Sequence, residues 1–501
     1  MSKDPDQRSA LASSGRYAVI TTAALGLSSG LNFVALFVWI RLLDPREFGV
    51  YSLVSATALL LNALMFEWLR IFALRTLYDG KSDIRVDRRQ ADSLFAVILG
   101  LLGLLIVAGV VAWAAGIPVG GVDRDWLPLI LLFTISEMAL GMVNVVSLVR
   151  QQAWQFFQSM VLRSALAIAL GLLLVIGFDL GALGVIGAIV AAQSVTAALI
   201  IARDPAWRGL RIGRRSAADG AALRELWRLG SPLILSTALA YFATVADRFI
   251  LNETMGPAAV GQYAAASDLL QKTLGFLMLA INMTAYPALI RAYEDKGAEA
   301  AAKGLEDLFV LQLGVGLPAI VAFIVLSPGL SSLLLGATFG DTGQRLLPWV
   351  AMAALLRLLV SFHLITVFQL TRKMRLMIVA PAVSLLVLIP LGMVGSRANG
   401  VLGMAQVSLA AHAASFLVCA VLARRIMTFR LLSADSIKVT LASGAMGLAL
   451  LPLAHVREPA LVLILCLAGA VVYGAAVLAL RLERIKPAER RLLMRLQRRR
   501  S

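Results

Sequence analysis

Apolar runs follow one another from about residue 17 to about residue 480, separated by short polar breaks. A run of about 18 or more apolar residues is long enough to cross a bilayer as a helix. The pattern predicts fourteen helices, at about 17–40, 48–69, 91–115, 126–149, 154–177, 182–202, 231–251, 260–290, 308–327, 348–370, 376–394, 401–423, 439–453 and 460–480. The fold class is therefore an all-α polytopic membrane protein. Residues 1–15 are polar, and the first apolar run is long enough to stay in place as a helix, so no cleavable leader is expected.

A ten-residue stretch occurs twice. Leu43-Asp44-Pro45-Arg46-Glu47-Phe48-Gly49-Val50-Tyr51-Ser52 reappears as Met255-Gly256-Pro257-Ala258-Ala259-Val260-Gly261-Gln262-Tyr263-Ala264. The Pro, Gly and Tyr of the two copies keep one separation, 212 residues. Each copy follows an apolar segment and opens another, so it marks an internal repeat. Pro and Gly make the turn tight, and the Tyr suits a membrane interface. The expected organisation is an N-terminal tail (1–15), a six-helix lobe (16–202), a basic amphipathic linker (203–229), a second six-helix lobe (230–425), two further helices (426–480) and a basic tail (481–501). The repeats are parallel, so an axis along the membrane normal should relate them, with a cavity between.

Charge sets the orientation. By these spans, 36 of the 46 Lys and Arg fall on one side, 6 on the other and 4 inside helices. That bias places both termini in the cytoplasm of a multi-pass inner (plasma) membrane protein. The net charge of +17 belongs to these loops and tails, so no nucleic-acid partner is expected. Cys419 and Cys466 both lie in apolar segments, and His363, His412 and His455 do not cluster, so no disulfide framework and no metal site is expected. There is no phosphate-binding loop, hence no ATPase, and no cofactor is expected. No catalytic residues are assigned and the protein is not read as an enzyme. Its short outer loops argue against a polymerase or glycosyltransferase.

The informative residues are ionisable groups inside apolar helices: Glu137, Arg163, Asp247, Arg248, Asp268, Lys272 and Arg357, with Glu67, Arg70 and Arg75 near one end of the second helix. Each costs about 2.5–3.5 kcal/mol at the bilayer centre, so each should face a cavity or a partner. Structural readings compete with functional ones. Glu137 and Arg163 on consecutive helices fit an ion pair. Asp268 and Lys272 are four apart on one helix face. Asp247 and Arg248 lie near the outer end and can snorkel. Arg70 and Arg75 are ordinary anchors for a cytoplasmic helix end. Arg357 has no acid within a turn and needs water, an anion or another helix. His363 and His412 read as packing residues. Small residues, including Gly26 and Gly30, are expected to allow close helix packing. The net result is a cationic cavity suited to a diphosphate.

The chain resembles the polysaccharide-transporter (Wzx-type) flippases of the multidrug/oligosaccharidyl-lipid/polysaccharide exporter superfamily. The match rests on Ile40-Arg41-Leu42-Leu43-Asp44-Pro45 through Tyr51, on Gly230-Ser231-Pro232-Leu233, on Asp247-Arg248-Phe249-Ile250-Leu251 and on Met255-Gly256-Pro257 through Tyr263. It implies two six-helix lobes with two further helices. It also implies that undecaprenyl-diphosphate-linked oligosaccharide crosses the membrane by alternating access, for exopolysaccharide, capsule or O-antigen synthesis. Membrane lipids, a polysaccharide polymerase and a chain-length regulator are the implied partners. Cavity arginines of related lipid II flippases make Arg248, Lys272 and Arg357 candidates by position, followed by Arg163, Arg70 and Arg75. The candidate coupling or ion-pair acids are Glu67, Glu137, Asp247 and Asp268. One departure is Glu67-Trp68-Leu69-Arg70, where the family often ends the second helix with Gly.

Two other classes stay open. A cation-coupled multidrug antiporter of the same superfamily would use Glu137, Asp247 and Asp268 in its cavity. A non-transporting scaffold of a polysaccharide assembly complex would carry a large loop or soluble domain, which this sequence lacks.

Overall fold

The computed structural model describes residues 5–76, 88–204 and 220–480. The expected tail at 481–501, residues 205–219 of the expected linker and the loop at 77–87 lie outside the described residues, as do the side chains of 5–15. The helices are α1 (Pro5–Leu42), α2 (Pro45–Asn62), α3 (Trp68–Thr76), α4 (Arg88–Ala114), α5 (Leu127–Val149), α6 (Ala153–Leu172) and α7 (Gly181–Arg203). There follow α8 (Gly220–Met255), α9 (Pro257–Val325), α10 (Ser327–Leu359), α11 (Ile365–Leu370), α12 (Val379–Ile426), α13 (Ala434–Leu450) and α14 (Pro459–Ala479). Single π-helical turns at Ala63–Glu67 and Val360–Leu364 join α2 to α3 and α10 to α11.

Twelve helices among the described residues are long and apolar enough to cross a membrane. Two of them are hairpins. Gly297 breaks α9 at φ 81°, and a Cβ on Gly304 would lie 2.7 Å from Leu289 across the bend. Asn399 and Gly400 break α12, and a Cβ on Gly395 would lie 3.2 Å from the Gly403 carbonyl oxygen. Counting each hairpin as two spans gives the fourteen expected.

The polar breaks are shorter than the sequence pattern predicts. The break expected at 291–307 is helical on both sides of Gly297, because it is rich in Ala, Glu and Lys, all good helix formers. The outer loop expected at 330–347 is also helical. It bends at Gly336, where φ is 74°, and Ser331 Oγ donates to the Gly340 carbonyl at 2.5 Å.

The chain packs as two compact units, Met1–Gly261 and Gln262–Ser501. The seventh span, in α8, belongs by packing to the first unit, where it lies against α2, α3, α4 and the π turn between α2 and α3. In the same unit α6 packs on α1 and α7, and α5 packs on α7 and α2. In the second unit α10 packs on α12 and α14, and α13 pairs with α14.

Both copies of the repeated turn begin helices in the first unit. Asp44 caps α2 with a capping box, its side chain accepting from the Glu47 N–H at 2.8 Å, and Pro45 fills the first turn, where its missing N–H costs nothing. The copies meet reciprocally. A Cβ on Gly49 would overlap the Pro257 carbonyl oxygen and lie 3.1 Å from the Gly261 nitrogen. A Cβ on Gly261 would overlap the Pro45 carbonyl oxygen and lie 2.9 Å from the Gly49 nitrogen. The repeated glycine is therefore a packing requirement, which the sequence pattern alone assigns to the turn. The repeated Tyr is not an interface residue in both copies, since Tyr263 is 2% exposed. Gly26 and Gly30, expected to bring helices close, face open space.

Candidate functional site

Polar groups from four spans gather in the first unit. The π turn Ala63–Glu67 delivers Glu67, and α3 carries Arg70 one turn later; the two form an ion pair. Their side chains are only 26% and 17% exposed, so the pair is largely withdrawn from solvent. The π turn inserts one residue into the helical ladder, a distortion common at functional sites. Arg70 lies against α5 at Gly141, where a Cβ would sit 2.5 Å from Nη1. Its Nε is buried without an acceptor among the described residues.

Glu137 stands one turn before Gly141 on α5. It accepts a hydrogen bond from Gln193 Nε2 of α7 at 2.6 Å, and the Gln193 carbonyl oxygen accepts from Ser136 at 2.7 Å. Tyr241 of α8 lies within electrostatic reach of Glu67, Arg70 and Glu137. Thr237, one turn earlier on α8, donates to the Ala63 carbonyl in the π turn at 3.5 Å. Two acids, one guanidinium, a carboxamide and a phenol thus share one region.

Glu137 and Arg163 do not form the expected ion pair. The α5 helix packs mainly on α7, whereas α6, which bears Arg163, packs on α1 and α7. Glu137 is instead met by Gln193 of α7. Ser164, next to Arg163, bonds Ser28 of α1 at 3.0 Å.

Near the repeated turns, Arg248 Nη1 donates to Ser52 Oγ at 2.8 Å, joining α8 to α2. Asp247 is 8% exposed and accepts from the Arg248 N–H at 2.9 Å, so it is buried and does not snorkel. Asn252, one turn on, donates to the Gly121 carbonyl at 2.6 Å.

In the second unit Asp268 is half-buried and Lys272 exposed on α9, and Arg357 is half-buried on α10. Gly275, three residues after Lys272, faces Leu358, the neighbour of Arg357, with 3.8 Å from its Cβ position to the leucine methyl. The Lys272 and Arg357 positions therefore lie at one level. His412 of α12 is in electrostatic reach of Arg357 and engages the Ser408 carbonyl at 2.7 Å. His363 is fully buried, with its ring 5.0 Å from Phe309 and 5.6 Å from Phe429; it packs among aromatics, but neither ring nitrogen has a hydrogen-bond partner among the described residues, so it is not the satisfied packing residue expected. The Arg75 side chain lies outside the described residues.

Gln193, Tyr241 and Ser52 escape a reading that weighs formal charges alone. The signal for Gln193 is a carboxamide in an otherwise apolar run; Tyr241 and Ser52 carry no comparable mark.

Fourteen apolar spans with polar groups set between helices define a multi-pass membrane protein. Residues 14–293 match the model of the polysaccharide biosynthesis protein family, and the chain belongs to that family. Its fold is similar to that of the lipid II flippase MurJ in an inward closed conformation. There the TM-score is 0.70 and the identity 14%, over 91% of this chain and 98% of that one. It is also similar to an inward-facing multidrug resistance MATE family transporter of the MOP superfamily, with TM-score 0.57 and 17% identity over 82% and 98% of the two chains. No curated protein sequence matches.

Proposed function

We propose that the protein is a flippase. It moves polyprenyl-diphosphate-linked oligosaccharide from the cytoplasmic to the outer leaflet of the inner membrane by alternating access, for exopolysaccharide, capsule or O-antigen synthesis. One observation carries this reading. A member of a polysaccharide biosynthesis family keeps basic groups, Arg70, Arg163, Arg248, Lys272 and Arg357, within apolar spans where each is costly. A diphosphate is the ligand such groups suit, because guanidinium donors match phosphate oxygens in pairs. Arg75, next to the same region, joins the set by position. Glu67, Glu137, Asp247 and Asp268 balance these charges or carry a coupling ion. The polyprenyl tail stays in lipid, and a polymerase and a chain-length regulator take the product onward.

The test uses a strain whose surface polymer depends on this gene. Combined Lys272→Ala and Arg357→Ala should lower polymer export by about tenfold or more, the equivalent of one lost charge-assisted contact. Unchanged export from a normally abundant double variant would overturn the assignment. The MATE-like fold and the Glu137–Gln193 pair favour a second reading, a cation-coupled drug antiporter. Under that reading the deletion strain would become drug-sensitive with its polymer intact.

A further inference from the structure

The ends of three spans of the first unit meet around a cavity of about 640 Å³ that the groups above do not touch. Arg16 and Arg203 stand on its wall, and neither has a protein partner among the described residues. The acid on the wall, Asp204, is already engaged: Arg150 Nη1 donates to it at 2.5 Å and Gln155 Nε2 at 3.4 Å. Two guanidinium groups are therefore left uncompensated among the described residues. Gln152, also on the wall, has a buried side-chain carbonyl oxygen that no donor among the described residues reaches. Trp154 is 60% exposed there and stacks on Phe157 at 5.0 Å, which leaves one indole face open.

This chemistry has two halves. Free guanidinium forks take phosphate oxygens. An orphan carboxamide acceptor beside an open aromatic face takes hydroxyl donors on a ring. A sugar phosphate offers both. The depth is also right: the apolar spans begin at Val19 and Ala153 and end at Arg203, so the cavity sits at headgroup level. On the topology argued above, that is the cytoplasmic side, where lipid-linked sugars are assembled.

We propose that this cavity docks the sugar-phosphate headgroup of the lipid-linked oligosaccharide before it crosses. The proposal rests on the flippase reading. Arg16 and Arg203 hold phosphate, Trp154 stacks on a sugar ring, and Gln152 accepts from a sugar hydroxyl.

The test measures binding to the full-length protein in phosphatidylcholine nanodiscs. The probe is a short-chain prenyl diphosphate carrying an oligosaccharide, with phosphatidylglycerol in the disc as the competing phosphate headgroup. Arg16→Ala with Arg203→Ala should weaken probe binding by about tenfold or more. Trp154→Ala with Gln152→Ala keeps those charges and should also weaken it. Unchanged binding by both variants, at normal yield and monodispersity, overturns the proposal. So does loss of phosphatidylglycerol binding alone, which would make this an ordinary lipid site. A flipping assay on the same samples separates the two claims. Flipping by the wild type with unaltered binding and flipping in both variants sinks the docking site only. Probe binding that the variants weaken, without any flipping by the wild type, sinks the transport reading only.

Discussion

The Glu67–Arg70 pair is where charge, burial and backbone distortion coincide. Both side chains are withdrawn from solvent, with a second carboxylate, Glu137, acting on the same tyrosine. Removing one member of such a pair leaves the other charge uncompensated, which is worse than removing both. Arg70→Ala should therefore cost more than the double variant Glu67→Gln with Arg70→Ala. The expected coupling is about 1.5–3 kcal/mol, read from a double-mutant cycle of unfolding in detergent. Losses that simply add, with the double variant costing the sum of the two single variants, would show that the two side chains act independently.

At the level of helices, a backbone-to-backbone approach in the first unit is made by a residue with no side chain, Gly49. Gly49→Ala puts a methyl group into the Pro257 carbonyl, and neither backbone can yield without moving a helix start. The expected loss is about 1–3 kcal/mol or more, seen as a lower melting temperature in detergent. Gly30→Ala makes the same chemical change in open space within α1, where it should be neutral or stabilising by up to about 1 kcal/mol. Matching melting temperatures for the two variants would refute the packing role of Gly49. This contrast marks how far the sequence could be read. The spans were legible because about 18 apolar residues in a row admit few other structures. The repeat was legible because its Pro, Gly and Tyr recur at one separation. What Gly49 touches was not legible, because that depends on a residue some two hundred positions away. The partner of Glu137 was not legible for a related reason: α5 and α6 do touch near their turn, where Ser159 donates to Asn144 at 2.5 Å, but at the level of Glu137 the polar partner comes from α7. The helix at 291–307 is not legible where polarity reads as loop, although a polar segment of good helix formers can stay helical outside the apolar core; that at 330–347 is not legible where its glycines read as loop, although only Gly336 breaks the helix.

For the whole molecule, orientation is the claim on which both the transport direction and the docking cavity depend. It rests on the distribution of Lys and Arg, and that bias acts through loops close to the spans. The two native cysteines make it easy to test, because Cys419 is buried and Cys466 half-buried, both inside spans. New cysteines at exposed ends should dominate labelling by a membrane-impermeant maleimide. Asp125→Cys and Glu458→Cys, both exposed, should react in intact cells. Lys296→Cys and Lys373→Cys, equally exposed, should react only after the membrane is opened. These four sites follow spans three, eight, ten and thirteen, so one missing or extra crossing would break the alternation at a definable point. The reverse pattern at all four would leave the fold intact and invert the direction of transport. It would also put the Arg16–Arg203 cavity on the face where the lipid-linked sugar leaves.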